Sequence, residues 1–131
     1  MKILKKVSLV ILIIGYLVAG VNHFRVPVTY IHIIPHYIPF PKLVNILAGF
    51  SEILFGLMLI FKRTRIFVAW CIILMLIAFI PVHIDMVIKA PFQLGSLMVT
   101  PFIAWVRLVV LQPLLVLWAW WYAKENRYSI K

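Results

Sequence analysis

Apolar residues run along the chain in four long blocks rather than in alternation. The first extends from about Val7 to Phe24 and the second from about Leu43 to Phe61. The third runs from Ile66 to about Ile88, and the fourth from about Phe102 to Tyr122. A helix of roughly 20 apolar residues crosses the hydrocarbon core of a bilayer, which is about 30 Å thick. Each block comes near that length, so the pattern predicts four membrane-spanning helices. Four such spans use about 80 residues. The remainder suffices for loops and tails and leaves no room for a separate soluble domain. The predicted fold is all-α: one domain over residues 1–131, a polytopic four-transmembrane-helix bundle with no internal repeat and no low-complexity linker.

The first block has a second reading. Lys2, Lys5 and Lys6, the apolar stretch VSLVILIIGYLV and the small pair Ala19 and Gly20 also fit a signal peptide. The apolar run continues to Phe24, however, and its removal would leave three spans, so the spanning reading is preferred.

Composition supports the membrane reading. The chain is 66% hydrophobic and 12% charged, with a mean hydropathy of +1.13. A soluble domain is about half apolar and about a quarter charged. These values exclude an ordinary soluble enzyme, a disordered tail and a disulfide scaffold. The single cysteine, Cys71, excludes an internal disulfide and any CxxC redox or zinc motif. It lies mid-span among apolar neighbours and reads as a packing residue.

The net charge of +10 would suggest a nucleic-acid partner in a soluble protein. Its placement argues otherwise. With four spans, one side carries Lys2, Lys5, Lys6, Lys62, Arg63, Arg65, Lys124, Arg127 and Lys131, and the other only Arg25, Lys42 and Lys89. This asymmetry follows the positive-inside rule and predicts cytoplasmic termini. The expected partner is the lipid bilayer, with anionic lipid or a cytoplasmic protein against the basic loops. No nucleic-acid partner is expected. Trp118, Trp120, Trp121 and Tyr122, beside Lys124, fit an interfacial aromatic belt. The loop from Arg25 to Lys42 holds Pro27, Pro35, Pro39 and Pro41, which forbids a long helix. It is too apolar to stand free in water, so it should lie on the interface or fold back over the bundle. The loop from Lys89 should form a shorter cap on the same side.

Ionisable groups within a span are costly and turn to the bundle interior. Here they are His23, Glu52, His83, Asp85 and Arg107, with Asn45 and Gln112 as neutral companions. The candidate buried polar pocket is His23, Asn45, Glu52, Asp85, Arg107 and Gln112. At 1.5 Å per residue, Glu52 lies roughly 14 Å and Arg107 roughly 8 Å from the outer ends of their helices. An isolated carboxylate at that depth must be neutral or paired, and Arg107 is the expected partner of Glu52. Such a pair either fixes helix register or lines a functional pocket, and both readings stay open. His23, His83 and Asp85 are expected near the outer interface and solvated, with Asp85 free to pair with Lys89 four residues on. Pro113 after Gln112 predicts a kink.

Helical spacing predicts inward faces of small and polar residues. They are Ser8, Gly15, Ala19 and Asn22 on the first helix, and Asn45, Ala48, Gly49, Glu52 and Gly56 on the second. On the third they are Cys71, Ala78 and Asp85. His32 and His36 are four apart, but Pro35 between them spoils a helical ligand pair. No ligand motif follows, so no metal is expected.

The series AGVNHF (Ala19–Phe24), IIPHYIPFPK (Ile33–Lys42), AGFSEILFGLMLIF (Ala48–Phe61), RIFVAWCIILMLIAFIPVHIDM (Arg65–Met86) and PFIAWVRLVVLQPLLVLWAWW (Pro101–Trp121) resembles DoxX-like membrane proteins. Its most telling features are the G-x-x-E of Gly49 and Glu52, His23, and the R-x-x-x-x-Q of Arg107 and Gln112. The resemblance covers nearly the whole chain. It implies a four-helix bundle in a bacterial cytoplasmic (inner) membrane. Some such proteins are subunits of quinone-reducing thiosulfate oxidoreductases, and others assemble with soluble enzymes of thiol and oxidative-stress defence. The lack of paired cysteines prevents carrying over a dithiol mechanism.

Two readings of function follow. The first is a non-catalytic accessory or anchoring subunit, or a binder of a small lipophilic molecule, with no cofactor of its own. The second is a quinone-interacting subunit of a membrane oxidoreductase, with Arg107, Glu52 and His23 bonding the quinone oxygens. Whether the chain is an enzyme is left open by the sequence. A transporter is less well supported, because four spans without a repeat leave little for alternating access unless the chain forms a homo-oligomer.

Overall fold

The structure is a computed structural model that describes residues 2–125. Arg127 and Lys131, counted above among the basic residues, lie outside the described residues. The chain forms α1 (Ile3–Arg25), α2 (Pro27–His32), α3 (Pro41–Leu59), α4 (Lys62–Ala78) and α5 (Ile80–Lys89). A hairpin of β1 (Phe92–Leu94) and β2 (Leu97–Val99) follows, then α6 (Pro101–Val106), a π turn (Arg107–Leu111) and α7 (Gln112–Ala123). Four helical segments are long and apolar enough to cross a membrane: Ile3–Arg25, Pro41–Leu59, Lys62–Lys89 and Pro101–Ala123.

Proline explains most of the boundaries. Pro27, Pro41 and Pro101 open their helices, where a missing N–H costs nothing, and Pro81 and Pro113 stand in the first turns of α5 and α7. Thr100 adds a side-chain cap, accepting from the Ile103 amide at 3.3 Å. Pro81 divides the third span, which the sequence reads as one helix, into α4 and α5 at Phe79. Pro113 cannot donate to a carbonyl one turn back. Upstream of it the fourth span widens, and the Gln112 amide reaches back five residues to the Arg107 carbonyl. Where the sequence predicts a kink at Pro113, the helix takes this π turn. The connection after α5 is a β-hairpin with Phe92 opposite Val99 and Leu94 opposite Leu97. Gly95 turns it with φ +59°, a value that suits glycine in a two-residue hairpin loop.

α1 packs along α3, α4 packs along α7, and α3 lies against α4. The larger apolar core joins Leu9, Leu12 and Tyr16 of α1 to Leu59, Val68, Ile72, Leu76 and Tyr122. A smaller one, Met86, Val99 and Ala104, sits under the hairpin. Large aliphatic and aromatic residues such as Val7, Ile11, Val18, Phe50, Leu74 and Leu114 cover the outside, the surface a lipid environment accepts.

The buried face of α3, with Asn45, Gly49, Glu52 and Gly56, coincides with the one read from the sequence. The other two faces need correction. α1 buries Leu9, Leu12, Tyr16, Gly20 and His23, while Gly15 is exposed and Ala19 only half-buried. The true face is turned by one residue from the expected stripe. α4 buries Val68, Ala69, Ile72, Ile73, Met75 and Leu76, large side chains for the most part, and leaves Ala78 exposed and Cys71 half-buried.

Glycine sets the distance between α1 and α3. A Cβ on Gly20 would sit 2.8 Å from the Gly49 carbonyl oxygen and 2.6 Å from Ile53 Cγ1. A Cβ on Gly49 would meet His23 Cβ at 2.6 Å, whereas one on Gly15 would meet nothing within 4 Å. Overpacking costs about 1–3 kcal/mol. Gly20→Ala and Gly49→Ala should therefore lower the melting temperature of the detergent-solubilised protein. Gly15→Ala should leave it unchanged or raise it, since alanine is the better helix former by about 1 kcal/mol. Equal effects at all three positions would contradict the close approach.

Candidate functional site

The Gly20–Gly49 contact brings His23, near the end of α1, against the polar face of α3. Asn45 clamps it twice. The His23 Nδ1 and Asn45 Oδ1 lie 2.7 Å apart, and Asn45 Nδ2 donates to the His23 carbonyl at 3.0 Å. Two turns along α3, Glu52 Oε2 lies 3.2 Å from His23 Nε2. The contact is at ion-pair distance but poorly aligned, and Oε2 has no hydrogen bond of ordinary geometry. Tyr30 of α2 stacks on the imidazole, with ring centroids 3.9 Å apart and planes 26° from parallel. The proline-rich loop thus folds back over the bundle and covers the site with an aromatic ring. Burial, and next the charge of Glu52, raise the Tyr30 phenol above its usual pKa, so it stays a neutral donor.

Three more groups stand near this pair or near one another. Tyr16 lies two turns before His23 on the buried face of α1, and its hydroxyl has no partner. Arg107 begins the π turn and is half-buried. It lies within electrostatic range of Glu52, Tyr16 and Tyr30. His83 of α5 is within range of Arg107, and its Nδ1 is also unpartnered. Buried polar atoms are nearly always hydrogen-bonded. Tyr16 Oη, Glu52 Oε2 and His83 Nδ1 are exceptions here.

The expected Glu52–Arg107 ion pair does not form. No carboxylate lies within 4.0 Å of Arg107 among the described residues, and Glu52 is taken by His23. Depth along the helix says how far down two groups sit, and the direction of each helix face decides whether they meet. His23 and His83 are 8% and 6% exposed, so they are buried rather than solvated as the sequence suggested. Asp85 stands apart from the cluster. It pairs with Lys89 at 2.7 Å and lines a hollow of about 160 Å³ with His32, His36 and Phe92. Gln112 is buried but turned to α4, donating to the Leu76 carbonyl at 2.7 Å. That carbonyl belongs to the last turn of α4, where helix carbonyls lack a partner within the helix, so Gln112 ties the π turn to the break in the third span. Asn22 bonds Arg25 at 3.1 Å instead of facing inward. Tyr16 and Tyr30 escaped notice in the sequence. The only signal for Tyr16 was its spacing from Gly20 and His23 on one helical face.

A second polar cluster, also unforeseen, closes the opposite end. Glu125 Oε1 is 3.2 Å from Lys5 Nζ, and its other oxygen is 4.0 Å from Arg65 Nη1. Arg65 donates to the Leu59 and Ile60 carbonyls at 3.0 and 3.3 Å. Its guanidinium thereby caps the end of α3. Trp118 Nε1 donates to Ser8 Oγ at 2.8 Å, and the Tyr122 hydroxyl to the Lys5 carbonyl at 3.0 Å. These two aromatics fasten α7 to α1, while Trp120 and Trp121 remain exposed as a belt residue would. Both described chain ends therefore lie at one end of the bundle, where Lys2, Lys5, Lys6, Lys62, Arg63, Arg65 and Lys124 gather.

Fold and clusters together define a small helical protein with four helices of membrane-spanning length and a buried polar cluster between them. The chain belongs to the family described as Domain of unknown function (DUF8561), whose model matches residues 12–123. The matched segment contains every residue of the His23–Glu52–Arg107 cluster. No curated protein and no solved structure matches the chain.

Groups in contact couple by about 0.5–3 kcal/mol in double-mutant cycles, and separated ones add. Unfolding in mixed detergent should show coupling of that size between His23→Ala and Glu52→Gln. It should show markedly less between Glu52→Gln and Arg107→Met. The reverse order would restore the Glu52–Arg107 pair. At the other end, Arg65→Met orphans two carbonyls and should destabilise by about 1–3 kcal/mol. Arg63→Met, on an exposed residue, should stay within about 0.5 kcal/mol.

Proposed function

We propose that the chain is an integral, multi-pass membrane protein that holds a small lipophilic molecule by its polar head. The binding groups are Tyr16, His23, Asn45, Glu52, His83 and Arg107. The observation that carries this reading is the presence of two deeply buried polar atoms, Tyr16 Oη and His83 Nδ1, that lack protein hydrogen-bond partners, with Glu52 Oε2 held only by its 3.2 Å contact to His23. They belong to residues set around one half-buried arginine. Leaving such groups unmatched is costly, and a bound head group with both donors and acceptors would repay it.

Binding fits the geometry better than catalysis. A catalytic imidazole needs a nitrogen free to take or give a proton to the reacting group. Both nitrogens of His23 are engaged, one by Asn45 and one by Glu52, and Tyr30 covers its face. The protein then acts as an accessory or anchoring subunit rather than as an enzyme. Its orientation follows from charge. Seven described basic residues at the end where the chain ends meet, against Arg25, Lys42 and Lys89 at the other, favour cytoplasmic termini. That basic end is the surface a cytoplasmic protein partner would meet. The resemblance to DoxX-like proteins supports a bacterial cytoplasmic membrane.

The test is purification in mild neutral detergent followed by solvent extraction and mass spectrometry. The wild-type protein should retain a lipophile in near-stoichiometric amount, and Glu52→Gln and Arg107→Met should lose it. A wild-type protein that is folded and carries no such molecule overturns the reading. Recovery of a quinone, with altered respiration in a deletion strain, would turn it towards the oxidoreductase subunit.

A further inference from the structure

The chain has only three acidic side chains, Glu52, Asp85 and Glu125. Each is committed to a cation. Asp85 holds Lys89 at 2.7 Å, Glu125 holds Lys5 at 3.2 Å with Arg65 at 4.0 Å, and Glu52 lies 3.2 Å from His23. The residues outside the described range carry no acidic side chain. Arg107 is thus the one ionisable group of the buried cluster with a fixed positive charge and no carboxylate beside it. Among the described residues its guanidinium makes neither an ion pair nor a hydrogen bond.

No carboxylate touches it among the described residues. Glu52 is within electrostatic range, but it shares a contact with His23. The remaining neighbours are Tyr16 and Tyr30, neutral phenols, and His83, whose charged form would add to the positive side. Tyr16 Oη and His83 Nδ1 are unpartnered at 8% and 6% residue exposure. A guanidinium with hydroxyl and imidazole donors close by is the donor set that recognises carboxylate or phosphate oxygens. Arg107 is only half-buried, so part of its side chain is open to the surroundings of the bundle. The exposed side chains one turn to either side of it on the same helical face, Ile103 and Leu111, are apolar and would lie along an aliphatic tail.

We infer that Arg107 anchors the anionic head of an amphiphile, a carboxylate or phosphate monoanion on an aliphatic tail, with Tyr16 and His83 as auxiliary donors. This inference rests on the lipophile-binding reading above and adds the sign of the charge. The competing arrangement is a water-bridged balance between Arg107 and Glu52, which would leave the cluster neutral and indifferent to the charge of the head group.

The experiment uses delipidated full-length protein in a neutral maltoside, with native mass spectrometry of four twelve-carbon probes: dodecanoate, dodecyl phosphate, dodecanamide and dodecyltrimethylammonium. One or both anions should be retained at least about tenfold more strongly than the amide, the size of a single charge-assisted contact. Arg107→Gln should abolish that preference while still retaining the amide, and Arg107→Lys should keep part of it. Preference for dodecanoate identifies a fatty-acid type of ligand, and preference for dodecyl phosphate a phospholipid type. Equal retention of anions and amide, or preference for the cation, overturns the inference and leaves the lipophile-binding reading standing. Retention of none of the four overturns both. If Arg107→Gln does not fold, the comparison of probes on the wild-type protein decides alone.

Discussion

The contact between Gly20 and Gly49 is the constraint on which the rest of the site depends. Two helices in lipid gain little by burying apolar surface against each other, because lipid tails are as apolar as leucine. They associate through close packing and polar bonds. Glycine at both positions lets backbone meet backbone, with no room for a Cβ at either. Only at that distance can Asn45 reach both the ring and the carbonyl of His23, and Glu52 reach the opposite ring nitrogen. The packing is therefore a condition for the polar cluster. The cluster in turn fixes the register of α1 on α3, since sliding by a residue would lose every one of these contacts.

The opposite end solves a different problem with the same few residue types. The turn between α3 and α4 is short, so the last carbonyls of α3 have no helical partner. Arg65 supplies donors to two of them, and Thr64 bonds the Met58 carbonyl at 2.6 Å. A buried guanidinium needs a counter-charge, which Glu125 supplies from the far end of the chain while it also holds Lys5. One carboxylate thus joins the starts of α1 and α4 to the end of α7. The bundle is fastened by an economy of acids, and each acid has a distinct mechanical task.

How much of this was legible in the sequence differs from helix to helix, for physical reasons. The four helices of membrane-spanning length were visible because length and apolar content alone define them. The breaks near Pro81 and Pro113 were visible as prolines, but not that the second would take the form of a π turn. The inward face of α3 could be read because Asn45, Ala48, Gly49, Glu52 and Gly56 gather its small and polar positions on one side at helical spacing. On α1 two such stripes compete, Gly15–Ala19–Asn22 and Tyr16–Gly20–His23. Apolar residues all round give no amphipathic signal to choose between them. α4 offered a misleading hint, since its buried face is aliphatic and the small residues Cys71 and Ala78 lie off it. The partner of Glu52 was misjudged for a related reason. Arg107 sits at a suitable depth, but His23 shares a glycine-lined contact with Glu52 and reaches it first.

That exchange of partners changes what Arg107 can do. Had Glu52 bound it directly, both charges would be spent on helix register, and a buried pair of that kind adds little net stability. Instead the imidazole occupies the carboxylate, and the π turn holds the guanidinium opposite without contact. The wider turn matters here, because it begins at Arg107 itself and ends at Gln112, whose bond to the Leu76 carbonyl pins the turn to the broken third span. Two prolines on separate spans thus set the position of one arginine: Pro81 by interrupting the helix that presents Leu76 and His83, and Pro113 by withholding an amide. A long cationic side chain in an apolar segment, placed by two helix irregularities and left without a partner, is a costly arrangement for structure alone. The proposed anionic head group would offset that cost by bringing the counter-charge from outside the chain.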